Sequence, residues 1–205
     1  GTIRLITQDG INSNSTYYFS SSANISETTD MYYSNSDTAK PTLESWYDTN
    51  IVAKNYHTFV ATGEYFCEQA KVGTFYIDKT GTPMTGYKMY IPDFKCANDD
   101  VYDKGLLNAS VGLISYDEVI YAGGHYSRGN DSFYLYKANA KSFWTMSPQG
   151  YTGSKALVWS FSNCFSTSAE STVLTNKFRL HPVINLKPSV TVTGTGKSDD
   201  HYVVQ

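Results

Sequence analysis

The chain has 205 residues, enough to bury a substantial core, with a net charge of −3 and 17% charged residues against roughly 25% in an average globular protein. Ser, Thr and Asn together supply 58 residues, and Tyr another 18. This composition excludes a coiled coil, a collagen-like repeat and a disordered tail, and the mildly acidic balance lacks the basic face that nucleic acid requires. No apolar run approaches the roughly 18 residues of a membrane span, so direct membrane insertion is not expected. The abrupt start at Gly1-Thr2-Ile3-Arg4 leads us to expect a leader or anchor outside the sequence.

Ile3, Leu5 and Thr7 alternate with Arg4 and Ile6 and predict an opening strand. Residues 9–36 are rich in Gly, Asn, Ser and Thr and read as loop with one strand at Tyr17-Tyr18-Phe19. Pro41 then opens a helix over about 41–49. Its face at i, i+3, i+4 carries Leu43, Trp46 and Tyr47, and Asp48-Thr49-Asn50 ends it. Three strand-like runs follow: Thr58–Ala61, Thr74–Ile77 and Tyr87–Ile91, with a turn at Lys79–Pro83.

Cys67 and Cys96 each end a short aromatic run, at strand-end positions. In an exported protein they form the natural disulfide, worth roughly 3 kcal/mol in the chain-entropy model. In a reducing compartment they are two buried thiols. Cys164, in Ser162-Asn163-Cys164-Phe165, is left as the free one. No base stands beside it in sequence, so it does not read as a nucleophile.

The strongest local signal is Ser115-Tyr116-Asp117-Glu118, a capping box that starts a helix over about 115–122. Tyr116, Val119 and Ile120 give its buried face, and Gly123-Gly124 ends it in a left-handed cap. Short strands at Ser142–Met146, Ala156–Phe161 and Pro182–Leu186 carry the remainder. Two short helices on a twisted antiparallel sheet predict a single α+β domain over 1–205, with the opening strand near the C-terminal strands.

Sequence motifs for chemistry are absent: no GxGxxG, Walker loop, HExxH or GxSxG occurs. His57, His125, His181 and His201 are dispersed without metal-ligand spacing. Asn98-Asp99-Asp100 with Asp103 and Gly105 is the densest oxygen cluster, but it lacks the alternating ligands of a calcium loop and reads as a solvated turn. No catalytic residue, cofactor or metal is expected.

Three stretches carry a resemblance. They are Val111-Gly112-Leu113-Ile114-Ser115-Tyr116-Asp117-Glu118 through Tyr121-Ala122-Gly123-Gly124, then Phe143-Trp144-Thr145-Met146-Ser147-Pro148, then His181-Pro182-Val183-Ile184-Asn185-Leu186-Lys187. Over about residues 40–205 the chain resembles domains on exported proteins of Gram-positive, often gut, bacteria. Their tail, Gly194-Thr195-Gly196 through Tyr202-Val203-Val204, looks similar as well. That family is similar to the C-type-lectin-like fold, in the branch of the formylglycine-generating enzymes and of the variable proteins of diversity-generating retroelements. The family's usual Arg before Pro182 is His181 here, and the Pro before Tyr202 is His201. The late cysteine pair of the enzyme branch and the calcium-dependent sugar motifs of true C-type lectins are missing. The resemblance therefore implies a scaffold without a reaction.

The resemblance also implies an exposed face between the Trp-containing strand and the closing strand, over residues 149–180. The same window stands out by composition, with aromatic anchors among small polar groups, as in antibody loops. Tyr151, Trp159 and Phe165 are the expected anchors, and Ser154, Ser162, Asn163 and Thr167 their polar partners. Against this, Trp159 and Phe161 share a parity within one strand and suit a core-facing pair, and Tyr121, His125, Tyr126 and Tyr134 offer another face. The expected function is a non-enzymatic, adhesin-like module on a bacterial surface or pilus that binds a glycan or protein. The alternatives are an enzyme on the same scaffold and a structural, pilin-like domain. A retroelement-diversified window is a variant of the first reading: Asn, Ser, Tyr, Phe, Cys and Thr are all reached by randomising adenines in Asn codons.

Overall fold

A computed structural model describes residues 2–13, 15–21, 32–69, 74–75, 90–91, 93–94, 96, 106–124, 135, 142–152, 155–161, 169–173, 176–197 and 199–205. Within them the chain is a mixed structure of short helices and small antiparallel sheets, compatible with the α+β class. The opening strand β1 (Ile3–Ile6) is followed by β2 (Tyr17–Tyr18) and helix α1 (Ala39–Tyr47). Next come β3 (Glu64–Cys67), β4 (Thr74–Phe75), β5 (Tyr90–Ile91), β6 (Leu106–Asn108) and helix α2 (Tyr116–Tyr121). The last part holds β7 (Phe143–Thr152), β8 (Lys155–Phe161), β9 (Ala169–Val173), β10 (Lys177–Phe178), β11 (Val183–Leu186), β12 (Val192–Thr193) and β13 (Val203–Val204).

The expected antiparallel pairing is divided among several small sheets. Strands β7, β8 and β9 form one three-stranded sheet, and the others pair two by two: β1 with β11, β2 with β10, β3 with β6, β4 with β5, and β12 with β13. Strand β11 knits these pieces together. Ile3 to Ile6 run antiparallel to Leu186 to Val183, Val60 bridges to Leu186, and Gly112 bridges to Val183. The opening strand thus lies on a C-terminal strand, as its alternation and the closing motif suggest. It places Ile3 and Leu5 outward, 52% and 41% exposed, and turns Arg4 and Ile6 inward.

Helix α1 begins two residues before the predicted start. The Ser36 hydroxyl accepts the backbone N–H of Ala39 at 2.8 Å and of Lys40 at 3.2 Å, so the first turn is capped from outside. Pro41 falls within that turn, where its missing N–H costs nothing. The Asp48-Thr49-Asn50 cluster does not end the helix: a π-helical turn runs on through Asp48–Val52, and the chain leaves it at Asn55, φ 63°. Leu43 and Tyr47 are buried and Trp46 half-buried. Burial raises the Tyr47 phenol above its ordinary pKa, although a hydrogen bond with Ser110 works against this. The expected strand at Thr58–Ala61 is a 3-10 turn, Tyr56–Phe59, with only Val60 making a strand-type bridge. Of the runs at Thr74–Ile77 and Tyr87–Ile91, Thr74–Phe75 and Tyr90–Ile91 are extended and paired. The rest, with the Lys79–Pro83 turn, lies outside the described residues.

Trp144 sits at the centre of the core, its ring 5.5 Å from Phe19 and 4.7 Å from Phe178, with the indole N–H donating to the Tyr17 carbonyl at 2.9 Å. Leu43, Val60, Phe66, Leu113, Met146, Val158, Leu180 and Val183 belong to the same cluster, which joins the early helix to the late strands. Tyr33 is buried there, its hydroxyl donating to the Val111 carbonyl at 3.4 Å, and burial pushes its pKa well above that of a free phenol. Cys67 and Cys96 are joined by a disulfide, Cα to Cα 5.6 Å. Cys164 lies outside the described residues.

Candidate functional site

Within the 149–180 window, residues 149–152 form the end of β7, with Tyr151 opposite Ala156 and Thr152 opposite Lys155. In β8 the buried side chains are Ala156, Val158 and Ser160. Trp159 and Phe161 are therefore turned to the other face and are half-buried. Both rings pack on Tyr116 of α2, at 4.8 and 5.1 Å, and Phe161 also stacks on Phe143 at 5.6 Å. The β7–β8–β9 sheet is thus covered on one side by the main core and on the other by α2. Met146 N–H to the Ile114 carbonyl and Tyr116 N–H to the Ser147 hydroxyl, both 2.9 Å, fix the helix to β7. Trp159 is held further by its carbonyl, which accepts the Thr145 hydroxyl at 2.6 Å. Ser154, Ser162, Asn163, Phe165 and Thr167 lie outside the described residues, as do Asn98, Asp99, Asp100, Asp103 and Gly105.

Of the neighbouring aromatics, Tyr121 is exposed and makes an edge-to-face pair with Phe94 at 5.3 Å. His125, Tyr126 and Tyr134 are not described. His181 is buried, donates from Nδ1 to the Thr7 carbonyl at 3.0 Å and lies edge-on to Phe143. His57 and His201 are exposed. Among the described residues no three His, Cys, Asp or Glu side chains come together as a metal site would require.

A second place was not singled out by sequence. A cavity of about 370 Å³ lies between β1, the Cys67–Cys96 bridge and the start of α2. Its polar wall is built on Arg4. The Arg4 guanidinium pairs with the Glu118 carboxylate, donates to the Tyr65 carbonyl, and donates from Nε to Asn185 Oδ1 at 3.1 Å, while lying 5.0 Å over the Phe66 ring. Glu118 serves twice, because its other oxygen accepts the Ser115 N–H at 2.8 Å in the capping box. Asp117 is buried and accepts the backbone N–H groups of Asp93 and Phe94, which ties the segment before Cys96 to the helix. Phe66, Leu106, Leu113 and Met146 supply apolar lining.

Asn185 is 1% exposed, and its Nδ2 finds no hydrogen-bond partner. Arg4, Glu118 and Asn185 are too far apart in sequence for any spacing rule to join them. The one available signal was Asn185 itself, a polar residue at the parity of buried Val183 in an otherwise apolar strand. Compared with known proteins, the chain matched no family model, no curated protein and no solved structure.

Proposed function

We propose that this chain is a non-enzymatic, adhesin-like ligand-binding module with a C-type-lectin-like arrangement, displayed on a bacterial cell surface or pilus. The observation that carries the reading is Trp159. Strand β8 turns it away from Ala156, Val158 and Ser160, and it remains half-buried within the 149–178 segment rather than sealed in the core. A large, rigid ring at such a place gives contact area at small entropic cost. The Cys67–Cys96 bridge supports an oxidising, extracellular setting. Among the described residues no helix is long and apolar enough to cross a membrane. In this reading the partner is a glycan or protein on another surface, and residues 149–180 are the stretch a retroelement would diversify.

Glycan and protein arrays probed with the purified chain identify the ligand, and alanine variants test the face. Tyr151→Ala and Phe165→Ala are expected to lose about 2 kcal/mol or more of binding at an unchanged melting temperature. Trp159→Ala loses affinity and some stability together, because its ring also packs on Tyr116. If the first two variants melt early and bind normally while folded, the segment is core and the reading fails. A reverse transcriptase gene beside the coding sequence decides the diversification.

A further inference from the structure

We propose that the cavity beside Asn185 binds a neutral N-acetylhexosamine, taking the acetamido group inside and the sugar ring at its mouth. The argument starts from the unfilled donor. Arg4 Nε–H can only donate, so the Asn185 atom facing it is the oxygen, and the atom without a partner is the NH₂. A buried amide N–H left unpaired is costly, and an acceptor brought in by a ligand removes that cost.

The surrounding charges select the kind of acceptor. Glu118 neutralises Arg4, and Asp117 adds a further buried carboxyl group, so an anion is disfavoured. A cation would meet Arg4 and a donor in place of an acceptor. What fits is a neutral carbonyl. The Glu118 carboxylate on the same wall accepts an N–H, and Phe66, Leu113 and Met146 give a methyl group an apolar seat. Carbonyl, N–H and methyl together make an acetamido group.

The mouth points to a sugar as its carrier. Phe94 and Tyr65 line the cavity and are 54% and 40% exposed. Phe94 sits at φ 56°, a left-handed conformation uncommon for a bulky residue, and its N–H donates to buried Asp117 at 3.4 Å. Exposed rings of this kind accept the apolar C–H face of a pyranose. The volume, about 370 Å³, falls within the range of small-ligand sites. No described lining residue belongs to 149–178, so the inference asks nothing of the Trp159 face.

The test is an NMR titration of the whole chain with N-acetylglucosamine, glucose and N-acetylalanine methylamide. N-acetylglucosamine is expected to move the Asn185 side-chain NH₂ signals and the Phe94 amide, and glucose is not. Asn185→Asp keeps the acceptor for Arg4 and removes the donor, so affinity falls about tenfold while the melting temperature holds. Phe94→Ala weakens the sugar more than the N-acetyl amino acid. Tyr151→Ala and Phe165→Ala leave the titration unchanged, which separates this site from the one above. Silence of the Asn185 signals at tens of millimolar sugar, equal binding of glucose, or full affinity in both Asn185→Asp and Phe94→Ala overturns the proposal. Equal binding of N-acetylalanine methylamide overturns the assignment to a sugar.

Discussion

Asp37 stands just ahead of α1 and fastens the chain after β2 to the helix: its carboxylate accepts the Ser21 hydroxyl, the Ser21 N–H at 2.7 Å and the Thr38 hydroxyl at 2.9 Å. The Ser21 hydroxyl is the main cause that holds this carboxyl below its ordinary pKa of 3.8. A depressed folded-state pKa contributes stability in full above the unfolded value, and that contribution is lost as pH falls through the folded one. The expected result is that wild type exceeds Asp37→Asn in stability at neutral pH, and that the gap closes only once pH drops below 3.8. Denaturant midpoints at a series of pH values check it, and a gap independent of pH removes the carboxylate from the account. Asn185 and Glu118 show the same thing at this scale: a side chain's significance comes from partners far away in sequence. Glu118 was legible as half of a capping box, because its partner Ser115 is three residues away. Its pairing with Arg4 was not, because that partner is on the opening strand.

Among the elements, α2 was read most completely, since every device that builds it is local. The Ser115 hydroxyl accepts the Glu118 N–H at 3.2 Å, and the reciprocal bond is present. At the other end Gly124 N–H reaches the Val119 carbonyl at 2.8 Å and Gly123 N–H the Ile120 carbonyl at 3.1 Å, the two bonds of a Schellman motif. The left-handed residue is Gly123, φ 106°, whereas Gly124 is needed for space: a Cβ there would lie 2.7 Å from the Val119 carbonyl oxygen. Ser115→Ala should therefore cost about 1 kcal/mol, and Gly124→Val more, through contact rather than backbone angle. Unchanged denaturant midpoints for both would mean that the helix ends contribute nothing. Ile120, expected on the buried face, is half-buried, and Asp117 takes the buried place because two backbone amides reach it. The misread elements share a cause. Thr58–Ala61 has strand-like composition, but its pairing with β11 is a single bridge at Val60, and the preceding residues close into a 3-10 turn. Trp159 and Phe161 share a parity, as read, yet the packing of Tyr116 on that side of the sheet decided which face was the deeper one.

At the scale of the molecule, the sheets are small and the joints between them carry the fold. The disulfide spans 29 residues of sequence and closes one side of the cavity. Thiol titration of the denatured, unreduced chain should give one free sulfhydryl, and reduction should lower stability by roughly 3 kcal/mol. Three sulfhydryls per chain would return the protein to a reducing compartment. The α+β class followed from the alternation of short helical and extended patterns. The division into separate pairs did not, because it depends on β11 receiving β1, Val60 and Gly112 at once.

That position of β11 also bears on how the chain is made. Ile3 pairs with Leu186, so the first strand has no partner until Leu186 has left the ribosome. At about 5–20 residues per second this interval is on the order of 10–40 s. Throughout it Ile3, Leu5, Ile6 and the Arg4 guanidinium face water without the strand that orders them. The cavity wall formed by Arg4, Glu118 and Asn185 is accordingly among the last features to assemble. A first strand that waits this long for β11 leaves apolar residues uncovered while the chain is still growing, so the yield of folded protein should depend on a chaperone that shields them from aggregation.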